Sequence, residues 1–252
     1  MDESYPVKSV KITFDIVEEL VSLDGAGVSE LADSLEIPKS TIHDHLSTLK
    51  KRGFVVQNES EYHVSFRFLA IGERRRHNER LIDAASPELE KLAEDTDEYV
   101  SLTVEENGEA VIIATEKGTR AVRVTVYNGI RMKMHSVAAG KAILAHLPNQ
   151  RIEDILQSHG LVEHTENTKT NKKELYDELR EIRNQGYALD NEERIAGLRS
   201  VASPIIDRTG NILGSITVYG PTQRIGEKRF TETLPQKLLE TSNVIEVTMN
   251  YD

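Results

Sequence analysis

The densest set of groups able to bind another molecule lies in Pro38-Lys39-Ser40-Thr41-Ile42-His43-Asp44-His45-Leu46-Ser47-Thr48-Leu49-Lys50-Lys51-Arg52. At about 100° per residue, Ile42, Leu46 and Leu49 fall in one narrow stripe, with Ser40, His43, Asp44, Ser47 and Lys51 opposite. Those outer side chains are polar and short enough to enter a groove. If they read DNA, Lys39, Ser40, Thr41, His43 and Asp44, near the helix start, meet base edges, and Lys50 and Lys51 meet phosphate. The competing reading is an amphipathic helix with a solvated outer face. His45 falls near the apolar side, as a packed histidine does.

Other chemistries fit less well. The chain has no cysteine, which excludes disulfides and thiolate metal sites. Neither His43/His45 nor His159/His164 puts two rings on one helical face, and there is no HExxH, so no metal site is expected. Gly140-Lys141 in AAGKA lacks the upstream glycine and the following Ser or Thr of a phosphate-binding loop, and packing at a helix start suits it better. No G-x-S-x-G elbow is present. Neither an enzyme nor a bound cofactor is expected.

The elements around the polar stretch are legible. Residues 9–23 place Val10, Phe14, Val17, Leu20 and Val21 on one helical face, and Asp24-Gly25 stops the helix. A short helix from about Ser29 to Leu35 follows. Glu36-Ile37-Pro38 is the turn, with Pro38 in the first turn of a third helix that Gly53 ends. Phe54-Val55-Val56 and Tyr62-His63-Val64 read as strands of a hairpin. Three helices and a hairpin make a winged helix-turn-helix over 1–66. A charged helix over 67–85 would link it to the rest, with Pro87 opening the next helix.

From Glu98 the pattern becomes strands among helices. Strands are expected at Tyr99–Val104, Ala110–Thr115, Arg120–Val126, Val201–Ile206 and Ile212–Tyr219. Helices are expected at Ala138–Leu147, Arg151–Ser158, Lys172–Gln185 (capped by Asn171) and Lys228–Met249. The fold class is α+β, with a mixed α/β second domain over 86–252.

Net charge is −11, yet its distribution matters more than its sum. Residues 1–65 carry six basic against twelve acidic side chains, whereas residues 66–80 carry five basic against two acidic. The Lys50-Lys51-Arg52 cluster can supply the local positive field that phosphate requires. The acidic excess suits a salt-rich, halophilic cytoplasm, where screening is strong. No apolar run is long enough for a membrane span, and the N-terminus has no signal-peptide core, so a cytoplasmic location is expected.

The run SVKITFDIVEELVSLDGAGVSELADSLEIPKSTIHDHLSTLKKRGFV resembles the N-terminal domain of IclR-type regulators of bacteria and archaea. HSVAAGKAILAHLP, HTENTKTNKKELYDELREIRNQGYALDNEERIAGLRSVASPIID and GSITVYGP are similar to that family's effector-binding domain, so the likeness runs from about Val7 to Gly226. It implies a GAF-like second domain that binds a small organic ligand, and homodimers or homotetramers on palindromic double-stranded operator DNA. Asp44 departs from the arginine common at its position; a carboxylate there repels phosphate and can accept from cytosine N4.

The family's pocket maps onto Ser136, Val137, Ala138 and Ala139, then Asp190, Leu198, Ser200, Thr217 and Tyr219, with Met132 as a lining residue. The small residues ahead of the helix at Ala138 let a ligand approach backbone N–H groups, where an anion is favoured, so a carboxylate-bearing metabolite is expected. Ser200, Thr217 and Tyr219 offer hydroxyls, and strand alternation puts Thr217 and Tyr219 on one face, opposite Ile216 and Val218. Asp190 either accepts from a ligand hydroxyl or caps local backbone. A reading of another class also stands: a metabolite sensor acting through protein contacts, with no operator of its own, which the acidic N-terminal balance favours.

Overall fold

A computed structural model describes residues 5–121 and 126–251. Its contacts divide the chain into two compact units, Met1–Asn78 and Glu79–Asp252.

In the first unit α1 (Lys8–Ser22), α2 (Val28–Leu35) and α3 (Lys39–Lys51) pack around Ile16, Leu20, Leu31, Ile42 and Leu46. The stripe Ile42, Leu46 and Leu49 is buried as its spacing requires. The face expected for α1 is corrected. Val17 and Leu20 are buried with Ile16, but Val10, Phe14 and Val21 are 51%, 54% and 64% exposed. An apolar-rich helix offers two overlapping stripes at a 3.6-residue period, and the packing of the neighbouring helices chooses between them. Pro38 is the N-cap of α3 and stands just outside its first turn; its extended ψ of 137° excludes it from the helix proper. Gly53, at φ +75°, ends α3. The N–H of Gly53 reaches Lys50 O and that of Phe54 reaches Leu49 O, which satisfies the last carbonyls. The chain then enters β1 (Val55–Asn58) and β2 (Glu61–Val64), an antiparallel wing extended by a bridge between Ala26 and Tyr62.

The single linker helix expected over 67–85 is two helices. The first, α4 (Arg67–Arg76), ends where the Asn78 side chain donates to Arg74 O, diverting that carbonyl from continuing the helix. The second, α5 (Arg80–Thr96), belongs to the second unit and carries Pro87 in its interior, not at its start. Leu81, Ile82, Ala85, Leu89 and Leu92 are all buried along α5. At ~1.5–3 kcal/mol per large apolar side chain, that stripe outweighs the roughly 3 kcal/mol an interior proline costs.

The second unit is one six-stranded antiparallel sheet with helices on both faces. Its strands are β3 (Tyr99–Glu106), β4 (Glu109–Lys117), β5 (Arg131–Lys133), β6 (Ala188–Asn191), β7 (Leu198–Ile206) and β8 (Ile212–Pro221), in the order β5-β4-β3-β8-β7-β6. Asn107 and Gly108, at φ +54° and +83°, make the tight β3–β4 turn. The short edge strands β5 and β6 have no sequence signal of their own. The strand expected over Arg120–Val126 falls at residues 122–125 outside the described residues.

Val100, Leu102, Val201, Ile216 and Val218 bury one face of the sheet against α5 and the last helix, α9 (Leu234–Tyr251), which a turn of π-helix at Arg229–Thr233 precedes. The other face, with Ala110, Ala188 and Ala202, packs against α6 (Ala138–Leu144), α7 (Asn149–His159) and α8 (Lys172–Gln185). Asn171 caps α8, its side chain accepting from the N–H groups of Lys173 and Glu174. Every residue of α6 is buried. Gly140 is what allows it, since a Cβ there would stand 2.2 Å from Met134 O.

Gly140→Ala should therefore destabilise the second unit by ~1–3 kcal/mol in urea titration, the range for overpacking. Gly72→Ala on α4, where a Cβ meets nothing within 4 Å, should be neutral or stabilising by up to ~1 kcal/mol. Equal effects would contradict this account of α6 packing.

Candidate functional site

The outer face of α3 is built as its sequence requires. Lys39, Ser40, His43, Asp44, Lys50 and Lys51 are exposed, and Thr41 and Ser47 are half-buried beside them. His45 turns inward, its Nδ1 2.8 Å from Thr13 Oγ1 on α1. Lys39 donates to Ser29 Oγ at 2.8 Å and Lys50 to Gln57 Oε1 on the wing, also at 2.8 Å, so both ammonium groups are steered by neighbouring elements. Glu59 and Glu61, both exposed, put negative charge at the wing tip.

In the second unit a cavity of about 110 Å³ opens over the sheet face that carries α6. Strand register explains its polar wall. Asp190 pairs with Ser200, Ser200 with Tyr219, and Tyr219 with Tyr99, which makes one row across β6, β7, β8 and β3. One step along, Ser101 pairs with Thr217. Ser200 Oγ donates to Asp190 Oδ2 at 3.0 Å, and Glu193 N–H donates to Asp190 Oδ1 at 2.8 Å. The Tyr99 and Tyr219 rings stack at 5.4 Å. Thr217 Oγ1 and Tyr219 Oη are buried without a hydrogen-bond partner among the described residues. Burial raises the Tyr219 phenol well above its ordinary value, so it is a neutral donor.

The second unit also holds a buried cation. Lys141 is fully buried, with its Nζ 2.8 Å from Glu178 Oε1 and 2.5 Å from Glu193 Oε1. Burial disfavours its charge, but the two glutamates outweigh burial and raise its pKa. Lys169 in turn pairs with Glu178 at 2.9 Å. The sequence reading of AAGKA as a packed helix start holds for Gly140, but the charge role of Lys141 has no local signature. Among the described residues no cluster of His, Asp and Glu could hold a metal ion.

Of the pocket residues expected from the sequence, Met132, Val137, Ala139, Asp190, Leu198, Ser200, Thr217 and Tyr219 line the cavity. Ser136 and Ala138 do not. Ser136 Oγ instead donates to Lys133 O, and the Ala138 side chain is sealed in the core. With seven residues α6 is shorter than the ten expected, and its dipole at the Ala138 end is correspondingly slight. The cavity also takes Ser101, Ile112, Val126, Ile130, Arg194, Ile195 and Arg199, which sequence reasoning missed. Ser101 had a signal, as a polar residue at an alternate position of the apolar strand Tyr99–Val104. Arg194 had none, because it sits in an irregular loop.

The helix-turn-helix region matches, over residues 9–59, the family model described as IclR helix-turn-helix domain. Residues 74–247 match that of the bacterial transcriptional regulator IclR C-terminal domain. The chain belongs to the IclR family of transcriptional regulators. Among its relatives, the acetate operon repressor of Salmonella typhimurium is 32% identical over 250 residues, covering 97% of this chain and 90% of the repressor. The probable HTH-type transcriptional regulator ArcR of Halobacterium salinarum is 29% identical, covering 96% and 94%. The crystal structure of the Thermotoga maritima IclR superposes with a TM-score of 0.81 at 27% identity, over 97% of this chain and 99% of that one.

Within this IclR-family chain Asp190 is the carboxyl group of the cavity wall. Burial pushes its pKa up to about 6, against the opposing pull of Lys141 and of the Glu193 N–H. Between roughly pH 4 and pH 6 the folded state holds a proton that the unfolded chain has released, so this group's contribution to stability falls as pH rises and levels off above. Stability of Asp190→Asn relative to wild type should thus improve by on the order of 1–3 kcal/mol from about pH 4 to pH 7 in urea titrations. A constant difference would mean that Asp190 titrates as an exposed carboxyl does.

Proposed function

We propose that this protein is a homodimeric regulator whose first unit binds palindromic operator DNA through α3. A small organic metabolite, carboxylate-bearing, would occupy the cavity of the second unit and modulate that binding. The observation that carries the proposal is the pairing of two features in one chain: an exposed polar α3 face beside a wing, and a walled cavity with unpartnered hydroxyls. Val7, just before α1, and Val10 and Phe14 on it are exposed and supply an apolar strip suited to a second copy. Coupling requires the metabolite to bind one conformation of the dimer better than another, since equal affinities shift nothing.

In gel-shift titrations on DNA upstream of its own gene, saturation is expected at two chains per palindrome. Lys51→Ala should weaken binding about equally on all sequences, whereas His43→Ala should lose ~1–3 kcal/mol of discrimination against a mutated operator. The six-to-twelve charge imbalance of residues 1–65 should leave binding measurable at molar KCl, through few released counterions. Wild-type binding by both variants would remove α3 as the reader, and no DNA binding at all would favour a sensor acting through protein contacts.

Ala139→Leu places a larger side chain in the cavity wall. It should abolish the metabolite response while leaving operator affinity within about twofold, because the substitution lies outside the DNA-binding unit. Retention of the full response would put the effector site elsewhere.

A further inference from the structure

Arg194 is set apart from the other cations of the second unit. It lines the cavity, is partly buried, and makes no hydrogen bond or ion pair among the described residues. Among the described residues, the other arginines and lysines there that are buried or partly buried have partners: Lys141 and Lys169 with Glu178, Lys133 with Glu109, Arg151 with Glu105, Arg224 and Arg229 with Glu98, Lys237 with Asp95, and Arg199 with Asn191. Desolvation lowers the Arg194 pKa, and only the charge of Asp190 opposes it. A guanidinium stays charged in any protein setting, so this one is partly stripped of water without a counterion in contact.

Its backbone is also held in place. Glu193, the preceding residue, fixes its carboxylate on buried Lys141 and its carbonyl on Thr168 Oγ1 at 2.5 Å. On the other side Leu198 N–H closes onto Ile195 O, and Gly197 N–H onto Glu192 Oε2. The loop therefore presents Arg194 from a fixed base, which lowers the ordering cost when a ligand arrives.

The rest of the wall states the shape of a complementary molecule. Ile112, Ile130, Met132, Ile195 and Leu198 are apolar and suit an apolar body. The buried hydroxyls of Thr217 and Tyr219 have no partner among the described residues, and each is a donor waiting for an acceptor. Asp190 already accepts from Ser200 and Glu193, so it does not need the ligand.

We propose that Arg194 selects the charge of the effector: the cavity takes a compact monocarboxylate whose anionic end pairs with the Arg194 guanidinium and whose carbonyl or hydroxyl oxygen meets the Thr217 and Tyr219 hydroxyls. This rests on the cavity being the effector site. It assigns the anion to a side chain and not to the backbone of the turn before α6. Monocarboxylates are favoured over dicarboxylates, since Arg199, the other cation of the wall, is already held by Asn191, Glu227 and the Phe230 ring, which leaves neutral hydroxyls and the Asp190 carboxylate to meet a second anion.

The test is calorimetry on the full chain with 4-hydroxybenzoate, 4-hydroxyphenylacetate and 4-methyl-2-oxopentanoate, each beside its primary amide. The acid that binds best should bind about tenfold or more tightly than its amide. Arg194→Gln should weaken that acid by about tenfold or more, with the amide changed less than about twofold, and Arg194→Lys should recover part of the loss. Because Arg194 holds no partner, its variants should melt like wild type, which excludes misfolding as the cause. If Ala139→Leu abolishes acid binding while Arg194→Gln leaves it unchanged, the cavity stands and the assignment of Arg194 falls. Binding of the amides as tightly as the acids would overturn the monocarboxylate. Binding of none of the six probes below ~10 mM would overturn this assignment, leaving the cavity to be judged by the operator response of Ala139→Leu.

Discussion

Lys141 ties together the pieces from which the cavity is made. Its ammonium group sits on α6, the helix whose leading residues Val137 and Ala139 form one wall. Its two partners come from elsewhere: Glu178 from α8, and Glu193 from the loop that follows β6. Removing Lys141 would leave Glu193 an uncompensated buried charge, which costs about 3–5 kcal/mol. The geometry of three separate segments is thereby made interdependent. A buried ion pair of this kind adds little net stability over an apolar replacement, but it admits few alternative arrangements.

The sheet does the rest of the positioning. In an antiparallel sheet, residues directly opposite one another project to the same side, so register alone decides which side chains meet. Asp190, Ser200, Tyr219 and Tyr99 are far apart in sequence yet form one row across four strands. Alternate positions of the same strands, such as Val201 and Val218, lie in the opposite core against α5 and α9. One face of the sheet can thus carry polar groups while the other is mainly apolar, with Ser203 paired to Ser242 on α9.

The first unit solves a different problem. Its small core needs only one stripe from each helix, so the outer face of α3 is left to polar residues. The cap formed by Gly53 and Phe54 ends α3 and sets the entry of the chain into the wing. Acidic residues at the wing tip mean that DNA affinity must come from a few placed contacts more than from a general positive field.

Local pattern was enough for much of this. The stripe Ile42, Leu46 and Leu49, the cap at Asn171, and the alternation of Ile216 and Val218 with Thr217 and Tyr219 are all short-range consequences of backbone geometry. The structure bears them out. What the sequence could not decide involves partners distant along the chain. Which stripe of α1 is buried depends on the surfaces of α2 and α3, and Pro87 sits inside α5 because a buried stripe runs through it. Edge strands of three and four residues exist only because β4 and β7 pair with them. Lys141 and Arg194 look like ordinary surface cations in the sequence. Only the tertiary structure buries one between two glutamates and leaves the other lining a cavity with no counterion in contact among the described residues, because burial and charge pairing are set by segments that meet only once the chain has folded.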